Sequence, residues 1–108
     1  MIIIKEEQNI LEEGTQLIHV SADTELTKSV INFALVSART SRRYAKFYSN
    51  KYYIEVTFQR DNSIRIASNY RYNYQFDREL TKLENRPFKL VDTINFIWLW
   101  MNRIRKIK

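Results

Sequence analysis

Three features of this 108-residue chain predict an α+β fold, with an antiparallel sheet centred on a long β-hairpin over residues 51–76 and packed against two helices. The first is alternation. Tyr52, Ile54, Val56 and Phe58 alternate with Tyr53, Glu55, Thr57 and Gln59, and after Arg60-Asp61-Asn62-Ser63 the pattern resumes as Ile64, Ile66, Ser68, Tyr70, Tyr72, Tyr74 and Phe76. The second is helical spacing of apolar residues before and after this stretch. The third is punctuation: one glycine and one proline leave little room for long loops. The expected order is ββαββα, in a single domain over residues 1–108.

In chain order, Ile2–Ile4 and Gln16–Val20 are β-branched or alternating enough for strands, with Gly14 in an acidic connection. Lys5–Glu13 fits a short helix as an alternative, because it is rich in Glu and Gln and Gly14 suits the residue after a helix. Ser21 or Asp23 caps the next helix, where Asp23 and Glu25 favour the positive end of its dipole. Its apolar stripe runs Leu26, Val30, Phe33, Ser37, Ser41, Tyr44 and Tyr48, widened by Ile31, Leu35 and Ala38. Thr40-Ser41 marks a bend or break, and Asn50 a stop.

In the hairpin, a three-residue loop of Arg60, Asp61 and Asn62 places Phe58 opposite Ile64, Val56 opposite Ile66 and Tyr52 opposite Tyr70. Asn62 then takes the left-handed position. A two-residue loop would mix the two faces. Beyond it, Asp77 is expected to cap a short helix holding Leu80 and Leu83, which Asn85-Arg86-Pro87 interrupts. Pro87 suits the first position of a last helix, whose stripe is Leu90, Ile94, Ile97, Met101 and Ile104, with Phe96, Trp100, Arg103 and Ile107 on another side. A helix apolar on so many sides needs cover from layers or from a second subunit.

Apolar residues make up 44% and charged residues 28%, the balance of a folded chain rather than a disordered one. With no cysteine, disulfides and thiolate ligands are excluded, which fits a reducing compartment. Ile2-Ile3-Ile4 passes directly into Lys5-Glu6-Glu7, unlike a secretory signal, so a cytoplasmic location is expected. The longest apolar run, Phe96–Met101, is far shorter than the roughly 20 residues of a spanning helix. The net charge of +6 is unevenly spread. Lys5 is the only base before Lys28, against Glu6, Glu7, Glu12, Glu13, Asp23 and Glu25, so the remainder is strongly basic and attracts phosphate backbones or acidic surfaces.

Catalytic signals are poor. His19 is the single histidine, with no identifiable nucleophile or orienting acid beside it. Glu6-Glu7 and Glu12-Glu13 have no metal-loop spacing, and Gly14 alone makes no phosphate-cradling loop. The sequence thus predicts neither an enzyme, a cofactor nor a metal site, and no small-molecule substrate is evident.

Binding signals are stronger. Arg39, Arg42, Arg43 and Lys46 stand at i, i+3, i+4 and i+7, one face of a helix, where guanidinium groups suit a phosphate backbone. The plain alternative is the solvated face that every amphipathic helix has. On the hairpin, Arg65, Asn69, Arg71 and Asn73 point away from the expected core as a basic ribbon. Tyr70, Tyr72 and Tyr74 are expected to line the core, although a bulge would expose them for stacking on bases. Trp98, Trp100 and Met101 suit core packing or a homodimer seam, in preference to a membrane surface.

Arg71-Tyr72-Asn73-Tyr74 resembles the spaced aromatics of an RNA-recognition-motif strand over four residues, but lacks that motif's glycines and apolar run. In size and in richness in Ile, Asn, Lys, Tyr and Phe, the chain also resembles phage and mobile-element accessory proteins, anti-CRISPR inhibitors among them. The composition predicts a basic, non-enzymatic module for nucleic acid or a nucleic-acid-handling protein. The resemblance implies an alternative, an inhibitor that binds a protein partner directly.

Overall fold

The computed structural model describes residues 11–12, 15–16, 24–41, 44–49 and 51–106. Its elements are β1 (Leu11–Glu12), β2 (Thr15–Gln16), α1 (Thr24–Ser41), β3 (Tyr44–Ser49), β4 (Tyr52–Phe58), β5 (Ile64–Ser68), α2 (Tyr74–Thr81) and α3 (Leu90–Arg105). The class is α+β as expected, but the order ββαββα is matched only roughly: a third strand follows α1, and a further helix precedes the last. β1 and β2 pair antiparallel, Leu11 with Gln16. The expected strand at Ile2–Ile4, residues 17–20, Gly14 and the caps Ser21 and Asp23 lie outside the described residues.

The first helix ends at Ser41, at the break that Thr40-Ser41 marks in the sequence, and the expected stripe beyond it at Tyr44 and Tyr48 is strand instead. Thr40 Oγ1 donates to Val36 O at 2.9 Å and Ser41 Oγ to Ser37 O at 3.0 Å, so hydroxyls occupy carbonyls of the last turn. The chain then enters β3, where Ala45, Phe47 and Ser49 are buried and Tyr44, Lys46 and Tyr48 are not. With no extension to Tyr44 and Tyr48, the buried ridge of α1 is Thr27, Ile31, Ala34, Leu35 and Ala38. Phe33, expected inside, is 63% exposed.

β3, β4 and β5 form an antiparallel sheet in that order. Ser49 opposes Tyr52, so β3 pairs directly with β4; Asn50, where a helix stop was expected, lies outside the described residues. In the β4–β5 hairpin Phe58 opposes Ile64 and Val56 opposes Ile66, the register parity demanded. Asn62 N donates to Gln59 O at 3.1 Å, Gln59 N donates to Ser63 O at 2.9 Å, and Asn62 has φ 67°. The ladder ends at Ser68, eight residues short of the expected Phe76. Tyr52 and Tyr70 still meet, with ring centroids 4.8 Å apart.

What replaces the rest of that strand is a helix. Asn73, not Asp77, caps α2: its Oδ1 accepts from Gln75 N at 2.9 Å and from Phe76 N at 3.3 Å. Asp77 sits in the first turn and holds Arg71 in an ion pair. Pro87 does not open α3 but bridges to Ser63, and α3 starts at Leu90. The 84–88 segment closes the free edge of β5. Asn85 N donates to Ile64 O at 2.8 Å, Ile66 N donates to Glu84 Oε2 at 2.9 Å, and Phe88 N donates to Asn62 O at 2.9 Å.

The buried apolar side chains form one cluster between the sheet and the helices, with Phe47, Ile54, Val56 and Ile64 facing Ile31, Leu35, Ile97 and Met101. α1 and α3 run antiparallel: Lys28 Nζ lies 4.8 Å from the Trp98 ring, and Val36 shares a cleft with Leu90 at the other end. Phe76 joins α2 to α3 through Phe96, ring centroids 5.1 Å apart. The expected stripe of α3 is buried at Ile97, Met101 and Ile104 and half-buried at Leu90 and Ile94. Among the described residues no helix is long and apolar enough to cross a membrane.

Candidate functional site

The period of two that buries one face of the sheet turns the alternate residues to the other, where Tyr44, Lys46, Tyr48, Tyr53, Glu55 and Thr57 are half-buried, Arg65 and Ala67 are exposed, and β2 lies beside β3. The register rows of this face are Tyr44, Thr57 and Arg65; then Lys46, Glu55 and Ala67; then Tyr48 with Tyr53. None of these belongs to the apolar core, which lies on the opposite face with α1 and α3. The third row continues into Asn69. Asn69 N donates to Tyr53 O at 3.3 Å, its Oδ1 accepts from Tyr53 N at 2.6 Å, and its Nδ2 reaches Lys51 O at 3.3 Å.

Lys46 is the centre of this surface. Its Nζ lies 4.4 Å from the centroid of the Tyr53 ring and 5.3 Å from that of Tyr48. The two rings are 6.2 Å apart and tilted by 46°. A side-chain hydrogen bond with Tyr48 holds the Lys46 ammonium above the ordinary lysine range. The negative charge of Glu55 adds to this, and partial burial opposes it. Lys46 is therefore a cation throughout the physiological range, fixed between two half-exposed aromatic rings. Arg65 stands exposed across the sheet with no ion-pair partner among the described residues.

The structure does not assemble the predicted arginine face. Arg39 is at the end of α1 on the inner side of the sheet, Lys46 is on the outer side, and Arg42 and Arg43 lie outside the described residues. The four never share a helix, because the helix ends before Lys46. The predicted ribbon is also divided. Arg65 points outward from β5 as expected. Asn69 is committed to the Tyr53 backbone, Arg71 to Asp77 and Asn73 to capping α2.

The predicted seam is mostly internal. Trp100 and Met101 are buried in this chain's own core, and Trp100 Nε1 donates to Tyr70 O at 3.0 Å, so neither offers surface to a second copy. Trp98 is half-buried against Lys28. Tyr70 and Tyr72 pack on the core as expected, whereas Tyr74 is exposed on α2.

The residues that sequence reasoning missed are Tyr44 and Tyr48, and the outward side of Tyr53. The signal was present in Tyr44-Ala45-Lys46-Phe47-Tyr48-Ser49, which alternates with period two. It was hidden because Tyr44 and Tyr48 are also i and i+4 on a continued helix. Compared with protein-family models, curated proteins and solved structures, the chain matches none. Its functional reading therefore rests on the geometry of these residues.

Proposed function

We propose that this protein binds single-stranded nucleic acid, without catalysis, along the outer face of β3–β4–β5. The observation that carries the reading is the pair Tyr48 and Tyr53 with Lys46 between them, half-exposed on the sheet face opposite α1 and α3. Aromatic rings on such a face stack on bases of any identity, and a neighbouring cation draws in the backbone. Arg65 supplies a second charge at the far side, and Thr57 beside it lines the path with a hydroxyl. A duplex hides its base faces in its own stack, so single strands are the fitting form.

Glu55 stands opposite Lys46 and offsets part of its charge, so stacking rather than ion release dominates this binding. The test is fluorescence anisotropy of labelled single strands of about 12 nucleotides, and of the matching duplex, over a salt series. The expected result is preference for the single strand, with a log–log salt slope of about −1 to −1.5 for two phosphate contacts. Tyr53→Ala weakens binding at every salt concentration, while Arg65→Ala flattens the slope. Absence of binding at about 50 mM salt, or binding unchanged in Tyr53→Ala, overturns the proposal.

A further inference from the structure

A second surface, separate from the tyrosine face, lies where the β4–β5 loop meets the end of α1 and the start of α3. It is a cleft of about 490 Å³ lined by Arg39, Arg60, Asn62, Phe58, Phe88 and Leu90 among others. That volume lies within the range of small-molecule sites, roughly 300–1,000 Å³.

The cleft is chemically divided. Phe58 and Phe88 meet edge to face with centroids 4.8 Å apart, which makes one wall aromatic. The Arg39 guanidinium sits 5.5 Å from the centroid of Phe88, and its Nε donates to Asn62 Oδ1 at 3.0 Å. A bond to a neutral amide aims that guanidinium without neutralising it, and leaves its two terminal nitrogens for an anion. Arg60 projects from the loop, exposed and without a partner among the described residues. Among the described residues no carboxylate lines the cleft. The one acid in the loop, Asp61, keeps its charge but forms no ion pair among the described residues: its Oδ1 accepts from Ser63 N at 3.1 Å and from Ser63 Oγ at 2.5 Å.

Two guanidinium groups with no ion-pair partner among the described residues, beside an aromatic wall, suit a ligand with a planar ring and an anionic end. A bare anion leaves the wall unused, and a neutral ring leaves the cations unused. We propose that this cleft binds a nucleoside monophosphate group, with the base against Phe58 and Phe88 and the phosphate between Arg39 and Arg60. The group is either a free nucleotide or the phosphorylated end of a strand. The inference stands independently of the sheet face, since the two surfaces share no residue named for binding.

The test is an amide chemical-shift titration of the full chain with AMP, adenosine and inorganic phosphate at matched ionic strength. AMP is expected to saturate on the order of 0.1 mM, with shifts centred on Gln59–Asn62 and the start of α3, and the other two at least about tenfold weaker. Arg60→Ala, an exposed loop change, weakens AMP about tenfold, while Lys82→Ala on α2 leaves it unchanged. Short strands with and without a 5′-phosphate, used as competitors, identify the source. Displacement of AMP by the phosphorylated strand alone assigns the site to strand ends, and displacement by neither assigns it to free nucleotides. No saturable shift with AMP in the millimolar range, equal loss in Lys82→Ala, or AMP no tighter than phosphate overturns the proposal.

Discussion

The two faces of the β3–β4–β5 sheet are made from the same strands and differ in what each alternate residue does. Inward, Phe47, Ile54, Val56 and Ile64 are fully buried among side chains of α1 and α3. Outward, the half-buried Tyr48, Tyr53 and Lys46 lie against one another. On the proposed reading a strand divides its residues between stability and recognition at a spacing of one position, and substitutions on neighbouring residues should fail in different ways.

The largest effect is expected inside. Phe47→Ala removes a ring with no solvent exposure and should cost about 3–5 kcal/mol in urea unfolding, enough to unfold much of a marginal domain. Its neighbour on the other face behaves differently. Tyr53→Ala should lower single-strand affinity by about 1–3 kcal/mol, while costing under about 1 kcal/mol of stability for its lost cross-strand pair. Equal destabilisation by the two variants would break the comparison and make the outer tyrosines core residues.

A third change isolates the point where the expected strand becomes a helix. Asn73→Ala frees two amide donors of α2 and should cost about 1 kcal/mol in thermal or urea unfolding, with single-strand affinity unchanged. A loss of affinity would place Asn73 in the recognition surface after all.

The smallest effect is a pH dependence in the β4–β5 loop. The Ser63 hydroxyl, and then the Ser63 amide, hold the Asp61 carboxyl below its usual range. Because the folded value is the lower one, this contribution is complete above the unfolded value near ~3.9 and disappears as pH falls through the folded value. Asp61→Asn should therefore shrink the difference in stability between pH 6 and pH 3, read as midpoints of urea unfolding.

The hairpin was legible because its signal is redundant. Parity, turn chemistry and the tolerance of Asn62 for positive φ all require one register, and that register is observed. The last helix was legible for a similar reason, as a sustained apolar stripe ending in cations. Two boundaries were not. At residues 44–49 helical and strand periods fit equally well, and the choice depends on Ala45 and Phe47 meeting β4, a contact distant from any local propensity. At residues 70–76 alternation continued past the place where Asn73 captures the first amides of α2. Misplacing those boundaries dispersed the predicted arginine row and hid the tyrosine face, since both depend on which period governs residues 41–49. The cleft beside Phe88 was beyond local reading, because it joins segments from three distant parts of the chain.

The closure of β5 by Glu84, Asn85 and Phe88 also bears on the order of folding. The two hairpins join residues near in sequence and cost little loop entropy to close, whereas α1 against α3 spans most of the described chain. Glu84 N and Arg86 Nε bond back to α2 at Leu80 O and Thr81 O, whereas the bonds of Asn85 N to Ile64 O and of Ile66 N to Glu84 Oε2 form only once β5 lies beside the segment, which directly precedes α3. Once it is bonded to β5, the start of α3 is tethered to the sheet and its search for α1 becomes local. The segment between α2 and α3 thus ties the start of α3 to the edge of the sheet, beside the end of α1 with which Leu90 shares a cleft.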